Sequence, residues 1–298
     1  MKQILIISGK GGTGKTTIAS ALYDLQIQQR KENEVIAVDC DVDASNFPYV
    51  FPYTVTEEDS FFGMNKAILD SDECSSCKEC MNSCRFNAIT WNEKKDIPQI
   101  NTRLCEGCGV CEYLCPEQAI KLEKSQAGTI YQVETSENKS NTYFFAHLLP
   151  GEDISGKLVT AVREKASKYA QNNETEYILL DGSPGIGCPV IASITSVDKI
   201  LIVTEPSKSA VSDLKRLILL IKYFNIPMSL IINKSDIFTP IIDEIEDLCK
   251  RNNIEIISKI PYNEKVIEAL NNNQSIIQYD SNNVVSREIK KISDKIFN

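Results

Sequence analysis

Eight cysteines between Cys74 and Cys115 are spaced as thiolate ligands of metal are spaced. The first run reads Cys74-x2-Cys77-x2-Cys80-x3-Cys84, and the second reads Cys105-x2-Cys108-x2-Cys111-x3-Cys115-Pro116. The second repeats the first at an offset of 31 residues, and Ala88-Ile89 recurs in the same register as Ala119-Ile120. A compact loop can present three thiolates to three corners of one cubane, but the fourth corner needs a residue from elsewhere. Zinc knuckles and a disulfide framework are the rival uses. Three cysteines at x2 spacing crowd a single tetrahedral ion, and disulfides do not suit a reducing compartment. Two [4Fe–4S] clusters are the reading that the spacing favours.

The two runs resemble those of the two-cluster bacterial ferredoxins, in which the fourth cysteine of each run serves the other cluster. That resemblance implies one cluster on Cys74, Cys77, Cys80 and Cys115, and a second on Cys105, Cys108, Cys111 and Cys84. Arg85 departs from the pattern, standing where a proline usually follows the fourth cysteine.

A second chemistry is written near the N-terminus. Gly9-Lys10-Gly11-Gly12-Thr13-Gly14-Lys15-Thr16 fits G-x-x-x-x-G-K-[ST] between an apolar strand and a helical pattern. The backbone N–H groups of Gly11, Gly12, Thr13 and Gly14 can close around phosphates at the helix N-terminus. Lys15 would reach the β- and γ-phosphates, the Thr16 hydroxyl would bind Mg²⁺, and Thr17 could add a hydroxyl to the α-phosphate. Ile178-Leu179-Leu180-Asp181 is a buried strand ending in acid, so Asp181 is expected to hold an Mg²⁺-bound water.

Lys10, a second lysine early in the loop, makes the motif a variant. It resembles the deviant Walker A class of MinD, ParA, Mrp and the nitrogenase iron protein. The resemblance also rests on Val38-Asp39-Cys40-Asp41, Ser155-Gly156-Lys157-Leu158-Val159, Asp181 to Val190, and Val203-Thr204-Glu205-Pro206-Ser207, and it covers nearly the whole chain. It implies an ATP-dependent homodimer in which Lys10 crosses to the partner's nucleotide. It implies that Asp41 positions the attacking water, that Asp39 supports the Mg²⁺ or switch region, and that Gly182–Gly187 senses the γ-phosphate. Asn233 would read the adenine edge, with Pro261 and Tyr262 as the other wall of the base pocket. Cys188 follows Asp181 by seven residues, as a cluster ligand does in the nitrogenase iron protein. No cysteine lies between Cys115 and Cys188 to complete such a pair, and packing is the plainer reading there. Cys40 and Cys249 read as packing residues, and the single histidine, His147, as structural.

The elements that must position these groups alternate. Apolar strands at Ile4–Ile7, Val35–Val38, Tyr177–Leu180, Lys199–Val203, Met228–Ile232 and Ile254–Lys259 are separated by amphipathic helical patterns, the last over Val284–Phe297. Strand-like stretches are also expected at Thr129–Glu134 and Tyr143–Leu148. Alternation of this kind predicts an α/β fold with a doubly wound, mostly parallel sheet. The cysteine window interrupts it as a small α+β ferredoxin-type insertion. The expected domains are residues 1–58 and 126–298 for the ATPase and 59–125 for the insert.

Composition narrows the partners. The net charge is −9 with no dense basic patch, which argues against nucleic acid. No run approaches the ~20 apolar residues of a membrane span, and a cytoplasmic location is expected. Together these readings predict a slow or partner-dependent ATPase that gates electron transfer through two clusters to a redox partner protein. A cluster carrier of the Mrp type and a positioning ATPase of the MinD/ParA type are the alternatives. For the latter, the stripe Val285, Ile289, Ile292, Ile296, flanked by Arg287, Lys290, Lys291 and Lys295, could mimic a membrane-binding helix. A terminal helix packed on the domain explains it equally well, and no membrane contact is expected.

Overall fold

The computed structural model describes residues 1–135 and 141–297. In chain order the elements are β1 (Lys2–Ser8), α1 (Lys15–Gln29), β2 (Val35–Asp39), β3 (Tyr53–Leu69), α2 (Glu79–Ser83), β4 (Ile89–Asn92), β5 (Ile97–Ile100) and α3 (Val110–Leu114). There follow β6 (Ile120–Thr135), β7 (Thr142–Leu148), α4 (Ser155–Asn172), β8 (Tyr177–Pro184), α5 (Cys188–Ile194), β9 (Lys199–Thr204) and α6 (Lys208–Phe224). The chain ends with β10 (Met228–Asn233), α7 (Ile242–Asn252), β11 (Glu255–Ile260), α8 (Lys265–Asn271), α9 (Ile276–Tyr279) and α10 (Val284–Phe297). The described residues form two compact units. One comprises Met1–Asp59, Ile130–His147 and Ser155–Asn298; the other comprises Ser60–Thr129 and Leu148–Ile154.

The larger unit is built on a sheet of order β11-β10-β9-β1-β8-β2-β7-β6-β3. Its strands from β11 to β7 are all parallel, as the alternating pattern predicts. Each of these strands buries both faces, so alternate residues enter different layers. Ile4 and Ile6 of β1, Val35 and Ala37 of β2, and Tyr177 and Leu179 of β8 share one core with Ile18 and Leu22 of α1 and Ile289 and Ile292 of α10. Leu5, Ile7, Ile36, Val38, Ile178 and Leu180 point to the opposite face and are equally buried. Burying each such side chain contributes roughly 1.5–3 kcal/mol. A helix-covered, two-faced sheet is therefore what these uninterrupted β-branched runs select.

Helices fall within a residue or two of the periodicity at most ends. The larger departure is β3, a 17-residue strand that no apolar alternation announces. Glu57, Glu58 and Asp59 break its pattern, and it stands at the end of the sheet order, where an edge strand tolerates charge. Likewise β6 begins nine residues before the stretch expected from sequence, through the exposed segment Lys121–Lys124. The C-terminal stripe is a core face. Val285, Ile289, Ile292 and Ile296 are at most 9% exposed, and Tyr177 Oη donates to Phe297 O at 3.1 Å.

The smaller unit carries the repeat into its backbone. Left-handed residues Ser76, Lys78 and Asn87 are matched 31 residues on by Gly107, Gly109 and Gln118. Helix α2 is matched by α3 at the same offset. The Asn101 N–H bond to Ala88 O has its counterpart in Asp70 N–H to Ala119 O, each 2.7 Å. Position 107 admits only glycine in comfort, since its φ is +61° and a Cβ would meet Asn65 O at 2.2 Å.

If α10 is a core helix, Ile289→Ala should lower unfolding free energy by about 2–5 kcal/mol. Arg287→Glu, on its exposed face, should change it by less than about 0.5 kcal/mol. Urea unfolding followed by circular dichroism checks both.

Candidate functional site

The phosphate-type loop sits where β1 ends, and α1 starts immediately after it at Lys15. Gly14 is the residue before the helix, in the left-handed region at φ +90°. A Cβ there would strike Asn233 Nδ2 at 2.2 Å, so the glycine serves both the turn and a close approach. Asn233, at the end of β10, uses that amide nitrogen to donate to Thr13 O at 2.8 Å. The next residue, Lys234, donates through Nζ to Gly12 O at 2.8 Å. Two neighbouring residues of one strand end thus hold the loop open from behind.

Parallel register brings the acidic residues together. Asp39 ends β2 and is paired with Asp181 of β8, which is itself paired with Ile6 of β1. Lys15 Nζ lies 3.0 Å from Asp181 Oδ1, both side chains being buried, and 3.4 Å from Thr16 Oγ1. Burial works against the Lys15 ammonium, but Asp181, then Asp39 and Asp41, hold it above the ordinary lysine range. Burial and the Asp181 carboxylate push the Asp39 carboxyl up to about 7, against the donors that surround it. Those donors are Ser45 Oγ at 2.6 Å and the N–H groups of Asp41, Asn46 and Phe47 at 2.9–3.1 Å. Burial likewise raises Asp41, which Lys15 opposes. Asp39 is thus the anchor of the turn after β2, while Asp41 faces the cavity.

Two adjoining cavities take these residues as walls. One, of about 670 Å³, is lined by Gly11 to Thr17, Asp41, Asn46, Tyr49 and Pro184 among others. The other, of about 240 Å³, is lined by Gly12, Gly14, Thr17, Asn233, Pro261, Tyr262 and apolar residues of α8, α9 and α10. The structure therefore brings together Gly11, Gly12, Thr13, Gly14, Lys15, Thr16, Thr17, Asp41, Asp181, Asn233 and Pro261. Two buried polar atoms here, Thr13 Oγ1 and Asp181 Oδ2, have no partner among the described residues. An anionic, oxygen-rich ligand with a hard cation fits such a site: backbone N–H groups and Lys15 for the anion, and Thr16 with Asp181 for the cation.

Lys10 lies apart from Lys15. Its Nζ is 2.7 Å from Glu205 Oε1 and donates to Ser207 Oγ and Ser209 Oγ, each at 3.3 Å. Glu205 also binds Lys234 at 3.1 Å, and these contacts hold its carboxyl below the usual range in spite of its partial burial. No role for Glu205 was foreseen from sequence. Its one signal is the pattern that marks Asp181, an acid at the C-terminal end of an apolar strand. The Gly182–Gly187 loop is tied to the same strand end, since Gly185 N–H donates to Ser8 O at 2.9 Å. Cys188 is exposed at the start of α5, Cys40 and Cys249 are buried, and His147 packs against Phe145 and Tyr131.

In the smaller unit the cysteines separate into two groups. Cys74, Cys77, Cys80 and Cys115 line one cavity; Cys84, Cys105, Cys108 and Cys111 line another. These are the crossed sets that the ferredoxin resemblance implies. None of the eight is in a disulfide. Ala67 N–H donates to Cys105 Sγ at 3.4 Å and Ala119 N–H to Cys115 Sγ at 3.2 Å, a disposition suited to thiolate acceptors. Among the described residues no three His, Cys, Asp or Glu side chains converge as ligands of a single metal ion. What the cysteines hold is thus argued from spacing and shared cavities.

A parallel sheet with a phosphate loop after its first strand and acids at the neighbouring strand ends defines a P-loop nucleotide-binding protein. The chain belongs to the family described as the CobQ/CobB/MinD/ParA nucleotide binding domain, whose match covers residues 4–276. It is 35% identical to an uncharacterized protein of Methanocaldococcus jannaschii over 99% of this chain and 96% of that one. An iron-sulfur cluster carrier protein of the same organism is 30% identical over 49% of this chain and 52% of its own. The solved MinC:MinD cell division protein complex of Aquifex aeolicus shares the fold. Its TM-score is 0.58 at 20% identity, and the match covers 100% of this chain and 96% of that one.

Removing the Lys15 ammonium from among these carboxylates should expose their mutual repulsion. Lys15→Met is expected to lower the stability of the nucleotide-free protein by about 3–5 kcal/mol at pH 7. Without the lysine the Asp39 and Asp41 carboxyls, already raised by burial, rise further above their unfolded values. The deficit should therefore shrink as pH falls toward 5, where protonation relieves the repulsion. Urea unfolding at the two pH values measures it.

Proposed function

We propose that the protein hydrolyses ATP and couples nucleotide state to electron transfer through two [4Fe–4S] clusters. The carrying observation is that the two crossed cysteine sets line separate cavities within one unit, in a chain whose other unit holds a complete phosphate-loop site. On this reading the smaller unit, Ser60–Thr129 with Leu148–Ile154, corresponds to the ferredoxin insert expected over residues 59–125, extended by the later segment. When bound, the clusters would supply one-electron storage.

On the nucleotide side, Lys15 would leave Asp181 to meet the β- and γ-phosphates. Asp181, through a water, and the Thr16 hydroxyl would hold Mg²⁺, which would neutralise phosphate charge. Asp41, at the mouth of the larger cavity, orients the attacking water; phosphoryl transfer needs such positioning more than covalent chemistry. Asn233 and Pro261 border the base. Lys10 exchanges Glu205 for the nucleotide of a second copy, so the active form is an ATP-dependent homodimer. In the chain, the smaller unit follows the strand ending in Asp39 and precedes the strand carrying Asp181, and that order is what suggests the coupling.

The partial likeness to an iron-sulfur cluster carrier favours one alternative, in which the clusters are cargo. Anaerobically reconstituted protein decides between them. Electron transfer predicts about eight irons per chain that stay bound when an apo-protein acceptor is added. It also predicts reduction potentials that change when MgATP is present. Loss of intact clusters to the acceptor would favour the carrier, and potentials indifferent to MgATP would sink the gating. Cys115→Ser should disturb the EPR signal of the first run's cluster, and Cys84→Ser that of the second; the reverse would refute the crossed ligand sets.

A further inference from the structure

The repeat gives each cysteine set the same backbone, so differences between matched positions are what can make the two sites unequal. One difference is a buried charge. Lys66, on β3, is matched 31 residues on by Ile97 of β5. The Lys66 side chain is 7% exposed, and its Nζ donates to the carbonyl oxygen of Cys105 at 2.9 Å. Its neighbour Ala67 lines the cavity of Cys84, Cys105, Cys108 and Cys111, just as Pro98, next to Ile97, lines the cavity of the other set.

We propose that Lys66 is a potential-setting residue: its buried ammonium makes the cluster on Cys84, Cys105, Cys108 and Cys111 the more easily reduced of the two. The inference rests on the cluster assignment proposed above. Reduction adds negative charge to a cluster, and a cation held in low dielectric favours that state. Two charges in the cavity linings act the other way, Glu106 beside this set and Lys78 beside the other, but both are exposed and screened by solvent. Backbone N–H groups reach sulfurs of both sets, Ala67 to Cys105 and Ala119 to Cys115, and Met81 to Cys80 is matched 31 residues on by Glu112 to Cys111. Lys78, beside Cys77, is exposed with its Nζ 4.7 Å from the centre of the Trp91 ring, where water and salt screen its charge. Arg85, beside Cys84, is exposed too and adds to the same side. Glu152 Oε1, 3.7 Å from Lys66 Nζ, tempers the lysine.

The full chain, reconstituted anaerobically, is reduced stepwise at controlled potentials and followed by EPR, with iron counted in parallel. The wild type should reduce in two steps. Lys66→Met should move the upper step to more negative potential by about tenfold in its equilibrium, about 59 mV for one electron, and leave the lower step in place. Lys66→Arg should keep both steps. Glu152→Gln should move the upper step the opposite way, and it decides the matter if the methionine variant does not load. The proposal is overturned if iron is retained and neither step moves in Lys66→Met, if both move together, or if only the lower one moves. It is equally overturned if Glu152→Gln leaves the upper step unchanged. A wild-type chain that holds no four-iron clusters would instead overturn the underlying reading, and the iron count tells the two failures apart.

Discussion

The nucleotide site depends on one ion pair, Lys15 with Asp181, at the carboxyl ends of three adjacent parallel strands. Around that single ammonium stand three carboxylates, two of them buried almost completely. Such a cluster is costly to assemble, because each charge leaves water and the acids repel one another. It persists because the carboxylates are held in different ways. Asp39 is satisfied by four donors of the following turn. Asp181 retains one oxygen without a partner, and Asp41 keeps access to the cavity. The excess negative charge is an arrangement waiting for cations and for a polyanion that can take the lysine away.

That local logic explains why so much of the larger unit could be read in the sequence. A strand buried on both faces leaves an unbroken β-branched run, and a glycine-rich loop between strand and helix has few other uses. Register was legible too, since acids at matched strand ends must face one another in a parallel sheet. What escaped were elements shaped by position and not by burial. Strand β3 carries Glu57, Glu58 and Asp59 on an edge where no neighbour forbids them, so its sequence has the look of a loop. Glu205 escaped because an acid at a strand end acquires meaning only from Lys10 and Lys234, which are remote in sequence. The C-terminal stripe was ambiguous for a related reason: periodicity defines an apolar face but not what covers it.

The smaller unit was legible at another level. Its repeat shows in cysteine spacing, but the backbone carries it further, into left-handed residues that coincide at an offset of 31. In the second half glycines occupy two of those positions. In the first half Ser76 and Lys78 do, at a conformational cost of about 1 kcal/mol or more each. A strained conformation retained without glycine implies that the loop path itself is required. Under the proposed assignment, ligation supplies such a requirement, because three thiolates must reach one centre from seven residues of chain.

Symmetry of backbone makes asymmetry of side chains informative. Two halves with the same fold would present equal sites if their matched residues were alike, and four cysteines line each cavity. A buried lysine in one half alone breaks that equality more strongly than any exposed charge, since solvent screens the latter. Lys66 is anchored to a carbonyl and moderated by Glu152, so its burial is compensated without being cancelled. Under the proposed cluster assignment, two unequal centres within one small unit would give electrons a preferred resting place, and a nucleotide-dependent change at either would alter how readily an electron leaves.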